Sequence, residues 1–200
     1  FSSLFMSLLV AYCYSKYNFP CKNLLFMITV TLMFVLTGAF SFVSYMFYQN
    51  IGWTEGYAAW LPMIVPGLFA GAGTVFFLRP YLEGINKEII EAAQIDGMGF
   101  WQIFFAIIIP LSKPALIAQF IFGFVAGYNN YMGPLLYLEG VPELATLQLV
   151  LADVRGTFPG LGKENIHCAS AVLGMLPLIL IYCFLQKFFI KGIVVGGVKG

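Results

Sequence analysis

The sequence predicts an all-α integral membrane protein, a polytopic helical bundle with about five spans, each needing about 20 apolar residues to cross a bilayer. Three observations carry this prediction. Of the 200 residues, 60% are hydrophobic and only 10% are charged, a composition far from that of a soluble domain. The hydrophobic residues gather into long runs separated by short polar stretches. The cations are placed asymmetrically about those runs: Lys16, Lys22, Arg79, Lys87, Lys113, Lys187, Lys191 and Lys199 fall on one side, and only Arg155 and Lys163 on the other. This positive-inside bias makes the first side cytoplasmic. Trp53 and Trp60 then fall near the outer interface and Trp101 near the inner one.

Each element follows in order. Phe1 to Tyr14 is apolar but too short to cross, and is expected to be the remainder of a truncated span. Lys16 and Lys22 place the next turn in the cytoplasm. Leu24 to Phe47 is a charge-free run long enough to span, and Tyr48 to Gly56 is a polar turn carrying Glu55. Tyr57 to Leu78 is the next expected span, interrupted by Pro62 and Pro66. Its Gly67 and Gly71, spaced four apart, allow close helix packing. Ala115 to Leu138 is the fourth run, and it contains the polar cluster Tyr128, Asn129, Asn130 and Tyr131. A connection from Glu139 to His167 includes an expected short helix, Pro142 to Asp153. Cys168 to Gln186 is the last span.

Between the third and fourth runs lies a stretch that is not membrane-like, Ile85 to Pro114. Its first half reads as a short amphipathic helix, with Asn86 as N-cap, Glu88 in the first turn where the dipole favours an anion, and Gly97 closing it. Ile89, Ala92 and Ala93 form a shallow apolar stripe, with Lys87, Glu88 and Glu91 around it. Asp96, in the last turn, opposes the helix dipole and needs another partner: the backbone that follows, or a cation on another chain. After Gly97 a second apolar segment, Phe100 to Ile109, runs into Pro110. Pro114 suits the first turn of a further helix.

Glu91, Ala92, Ala93, Asp96 and Gly97, followed by Ile107, Ile109 and Pro110, resemble the EAA loop of the permease subunits of bacterial ABC importers. The wider pattern, running on through Leu111 to Pro114, is similar to the carbohydrate-uptake branch typified by the maltose system. The segment AYCYSKYNFPCK from Ala11 and the terminal GVKG are similar to that branch as well. Asn86 stands where the family often has proline, and Met98 where alanine is usual. The resemblance implies the type I ABC importer permease fold over residues 1–200, with 85–114 as the cytoplasmic coupling loop. Glu91, Ala92, Ala93, Asp96, Gly97, Ile107 and Pro110 are then the ATPase-coupling residues. It also implies a further amino-terminal span ahead of Phe1. The implied partners are a second permease, usually giving a heterodimer, a pair of cytoplasmic ABC ATPases, and an external sugar-binding protein.

Tyr128, Asn129, Asn130 and Tyr131, followed by Pro134 and Leu135, resemble the family's W-N-x-F-x-x-P-L motif, with tyrosine in place of the tryptophan. Amides and phenols can hydrogen-bond sugar hydroxyls, so these four residues are candidates for the substrate path. The bland alternative is that they tie helices together.

Other chemistry is excluded or unsupported. A net charge of +1 with no basic cluster argues against a nucleic-acid partner. GLGKE at Gly160 to Glu164 fails as a phosphate loop, because Thr157 stands where the first glycine belongs and Glu164 where a Ser or Thr does. ATP must therefore be hydrolysed by a partner. The single histidine, His167, reads as an interfacial residue, and Cys13, Cys21, Cys168 and Cys183 show no metal or redox spacing. No catalytic residue, metal ligand or cofactor is expected. The rival readings are a permease for another solute, such as glycerol phosphate or a polyamine, and an ATPase-independent channel or carrier. The expected spans contain no carboxylate of the kind ion-coupled carriers retain.

Overall fold

Helices make up the regular structure, with no strand among the described residues of the computed structural model. The structure describes residues 1–34, 40–138, 140–157 and 164–197, and of 142, 155–157, 185 and 187–197 the backbone alone. The chain divides into two compact units. One comprises Phe1–Val35, Gly67–Phe120 and Gln186–Gly200, and the other Leu36–Pro66 and Ile121–Leu185.

The first unit is built on the pairing of α1 (Ser2–Lys16) with α5 (Ala72–Glu83). Leu8, Ala11 and Tyr12 recur at helical spacing on α1, as do Val75, Leu78 and Leu82 on α5, and none of the six is more than 1% exposed. Small residues bring the backbones close enough for Ser7 Oγ to accept from the Gly71 N–H at 2.9 Å. Tyr12 meets the rings of Phe100 and Phe104 at 5.2 and 5.7 Å, joining the start of the next long helix to the same core. The second helix, α2 (Lys22–Met33), buries no residue of its own, and its Phe26 ring lies 3.8 Å beneath the Arg79 guanidinium.

Two proline expectations are corrected here. Pro110 does not break the chain: α7 (Phe100–Ile103), a π-helical segment (Phe104–Ile108) and α8 (Ile109–Tyr128) run on as a single 29-residue helix. The i→i+5 turn widens the helix just where Pro110, lacking an N–H, cannot make the normal bond. Pro114 is likewise interior to α8 rather than in a first turn. It stands four residues after Pro110, so the one bond its ring forfeits is to the Pro110 carbonyl.

The spans shift accordingly. Among the described residues three segments are long and apolar enough to cross a membrane, Gly56–Glu83, Phe100–Tyr128 and Glu164–Phe184. The fourth expected run begins at Phe100 instead of Ala115 and stops at Tyr128, where Asn129 and Asn130 interrupt it before α9 (Met132–Leu138). The run from Tyr57 is helical only in pieces: a 3-10 turn (Gly56–Trp60), α4 (Leu61–Ile64), a second 3-10 turn (Pro66–Leu68), then α5. Pro66 accounts for the end of α4, since it removes the backbone donor that would continue it, whereas Pro62 sits in the first turn of α4, where no donor is needed. The run from Leu24 is carried by α2 and α3 (Ser41–Asn50), with 35–39 outside the described residues.

In the second unit aromatic contacts dominate. Tyr137 of α9 packs against Tyr45 and Tyr48 of α3 at 5.9 and 6.0 Å, and Tyr48 stacks on Trp53 at 5.6 Å. The expected helix over Pro142 to Asp153 is instead a 3-10 turn (Pro142–Leu144) followed by α10 (Leu147–Thr157). The first bond of α10 runs from Val150 N to the Thr146 carbonyl at 3.1 Å. The final helix, α11 (Glu164–Gly197), continues past the expected end at Gln186.

Candidate functional site

Two sites emerge, one in each unit. The first is α6 (Lys87–Ile95), which is capped at both ends. Asn86 Oδ1 accepts from Glu88 N at 3.1 Å, and its Nδ2 donates to Glu88 Oε2 at 3.0 Å. At the other end Met98 N donates to Ala93 O at 2.9 Å and Gly97 N to Gln94 O at 3.0 Å, the paired bonds of a Schellman motif. Gly97 adopts φ +82°, the left-handed conformation that glycine enters without penalty.

Its faces differ from the expected stripe. Ile90 and Ala93 are buried against the first unit's core, while Ile89 is 45% and Ile95 86% exposed, and Ala92 lies with them on the outer face. The stripe of Ile89, Ala92 and Ala93 is thus split. The helix is rotated so that Ile90 and Ala93, in place of Ile89 and Ala92, meet the core. The outer face is a shallow apolar ridge, Ile89, Ala92 and Ile95 at i, i+3 and i+6, with the exposed Asp96 at its end, while the exposed Glu91 lies toward the lysines on the other side of the helix. Neither carboxylate makes an ion pair among the described residues, where Arg79 with Glu83 at 2.8 Å is the one salt bridge. Asp96 does not cap the following helix either, because Gln102 Oε1 accepts from Gly99 N at 2.8 Å. Ile107 is half-buried in the π segment, and Pro110 is exposed at the start of α8.

Behind α6 a cavity of about 600 Å³ gathers Lys16, Lys22 and Lys87 with Glu83 and Glu91. Lys16 Nζ donates to Ile85 O at 2.7 Å, which ties the end of α1 to the residue leading into α6. Burial holds the Lys16 ammonium below the ordinary lysine range; the neighbouring Lys87 charge lowers it further, and Glu83 pulls it back.

The second site surrounds the polar cluster after α8. Its four residues divide into two pairs. Tyr128 Oη donates to Gly174 O at 2.7 Å, joining α8 to α11. Asn130 Oδ1 accepts from Gly133 N at 3.2 Å and so starts α9. Asn129 and Tyr131, by contrast, line a cavity of about 510 Å³ bounded by α10 and α11. Gln148, His167 and Ser170 line it too. His167 Nε2 is buried with no hydrogen-bond partner among the described residues. Gly174 fits the wall because a Cβ there would come within 2.7 Å of Leu151 Cδ1.

Gln148, His167 and Ser170 were not predicted for this site. A signal did exist: His167, Ser170, Ala171 and Gly174 follow at i, i+3, i+4 and i+7, a polar and small stripe on an otherwise apolar helix. Which element that stripe would face was not readable. Lys163 and the GLGK segment at 160–163 lie outside the described residues.

Residues 3–195 match the family model described as the binding-protein-dependent transport system inner membrane component. The chain is 31% identical over 198 residues to an arabinooligosaccharides transport system permease protein of Halalkalibacterium halodurans, covering 99% of this chain and 68% of that one. It is 31% identical over 197 residues to a maltodextrin transport system permease protein of Bacillus subtilis, covering 96% and 68%. An sn-glycerol-3-phosphate transport system permease protein of Escherichia coli is 32% identical over 191 residues, covering 94% and 66%.

Proposed function

We propose, since this chain belongs to the family of binding-protein-dependent transport system inner membrane components, that it is a permease subunit for an oligosaccharide. It is a multi-pass protein of the inner membrane and a transport subunit, not an enzyme. In this reading ATP is hydrolysed by a separate pair of cytoplasmic ABC ATPases. A second permease completes the pathway, and an external binding protein delivers the sugar. Closure of the ATPases draws the coupling helices together and reorients the spans, so that access alternates between the two sides.

The observation that carries the coupling role is the outer face of α6. A helix of nine residues, capped at both ends by its own sequence, presents Ile89, Ala92 and Ile95 outward. An isoleucine 86% exposed beside an alanine suits a cleft that closes on the helix backbone. Asp96, unpaired among the described residues, suits a cation on the rim of that cleft. The oligosaccharide class rests on the two sugar permeases among the relatives; the glycerol phosphate relative marks the rival solute.

Ile95→Asp tests the coupling role. The permease should reach the membrane in normal amount, but its ATPase should be lost on mild detergent extraction and sugar uptake should fall with it. Normal retention and normal uptake would refute the docking face. Uptake by the purified chain alone, with no ATPase present, would instead favour a carrier.

A further inference from the structure

The end of α1 touches both flanks of α6. At the entry, Lys16, the last residue of α1, donates from Nζ to Ile85 O at 2.7 Å across 69 positions of the chain. At the exit, Tyr17 lies against the ring of Phe100, the residue that opens the long helix after α6, with centroids 5.4 Å apart. Tyr12 meets the same ring at 5.2 Å, and Lys22 Nζ donates to Tyr17 O at 3.0 Å, which steadies Tyr17 itself.

The entry is where a grip matters. Only Gly84, Ile85 and Asn86 separate α5 from α6, so a nine-residue helix, about 13 Å long, hangs on a short link whose first member is glycine. The exposed Ile95 stands at the far end of that helix from Ile85. A load applied at Ile95 swings α6 about the link; the buried Ile90 and Ala93 oppose the swing, and the bond from Lys16 stops the link from turning. Its charged donor makes this bond shorter and stronger than a neutral one. Glu83 and Glu91 share the cavity with Lys16, yet Glu83 pairs with Arg79 at 2.8 Å and neither carboxylate pairs with Lys16, so the ammonium stays on the carbonyl.

We propose that Lys16 is a positioning residue for transport: it passes the displacement of α6 on to α1, with Tyr17 as its counterpart at the exit. Leu8, Ala11 and Tyr12 pack α1 along α5, so the pair moves with α6 as one body when the entry is held. The proposal rests on the coupling role of α6 given above and names the residue through which that role reaches α1.

The test uses the complete transporter, with its ATPases and binding protein, in proteoliposomes. The solute is whichever of maltotriose, an arabinotriose and sn-glycerol 3-phosphate the unaltered transporter takes up. ATP hydrolysed and solute taken up are read together, with the ATPase retained in mild detergent as the measure of assembly. Lys16→Met keeps most of the side chain's length and removes the donor. It should keep its ATPase and its rate of hydrolysis, and lower the solute taken up per ATP about three- to ten-fold. Lys16→Arg, which can still donate to the carbonyl, should restore most of that ratio. An unchanged ratio in Lys16→Met would overturn the proposal, as would a loss that Lys16→Arg does not repair. If Lys16→Met fails to reach the membrane, Tyr17→Leu decides: a lowered ratio with the ATPase attached supports the grip, and a normal ratio overturns it. Ile95→Asp, run alongside, separates this proposal from the reading beneath it. ATPase lost from Ile95→Asp together with a normal ratio in Lys16→Met leaves the coupling role in place and removes the grip. ATPase retained and uptake normal in Ile95→Asp removes the coupling role of α6, and the proposal with it.

Discussion

Ala92 and Ala93 are adjacent in the chain, yet one is exposed and the other buried. Ala93 is 5% exposed within the first unit's core, so Ala93→Trp should overpack that core, costing about 1–3 kcal/mol or more, and lower the amount of permease in the membrane. Ala92→Trp, on the outer face, should leave the amount unchanged and weaken ATPase retention. Immunodetection of the permease alongside the ATPase in mild detergent extracts separates the two outcomes, and identical effects would contradict the orientation of α6. Gly97 carries φ +82°, so Gly97→Val should cost about 1–2 kcal/mol and loosen the turn after α6 even though a Cβ there would touch nothing. In the second unit, Tyr128→Phe removes the 2.7 Å bond to Gly174 O. It should lower the transporter's thermal stability by about 0.5–1.5 kcal/mol while leaving the half-saturating sugar concentration near its original value.

At the scale of elements, α6 owes its independence to its ends. Asn86→Ala removes the acceptor for Glu88 N and should destabilise the first turn by about 1 kcal/mol, whereas Asn86→Asp or Asn86→Ser should retain most of the cap. Hydrogen exchange at the amides of Glu88 and Ile89 measures this directly, with faster exchange expected in the alanine variant alone. The long helix from Phe100 to Tyr128 shows the opposite case, in which a residue that should end a helix does not. Pro110 is read in the sequence as a stop because the ordinary helix has no place for it. The π turn at Phe104–Ile108 supplies that place, and the core contacts of Ile103, Phe104 and Ile108, all at 1% exposure or less, hold the wider turn together. Local propensity argued for two short helices, and tertiary burial produced one long one.

At the scale of the molecule, the distribution of cations predicts an orientation that can be tested in whole cells. A cysteine at Glu55 should react with a thiol reagent that cannot cross the membrane, and one at Lys87 should not. Labelling at Lys87 from outside would place α6 on the wrong side for a cytoplasmic ATPase and remove the coupling role altogether.

Composition and the spacing of charges were enough to establish a helical membrane protein, because the bilayer admits few ways to satisfy a backbone. The residues from Glu91 to Pro110 were enough to indicate the family, and Asn86 and Gly97 were readable as the ends of α6 because caps are local chemistry. What the sequence left open was whatever depends on a neighbour distant in the chain. Whether Ala92 or Ala93 faces inward was decided by the core that Leu8, Val75 and Phe104 build, and whether Pro110 breaks a helix was decided by the same core. Which polar residues share a cavity was decided by α10 and α11 closing on the end of α8, bringing Gln148, His167 and Ser170 to Asn129 and Tyr131. Helical periodicity shows that a face exists, but it carries no information about which other helix that face will meet, and only packing supplies it.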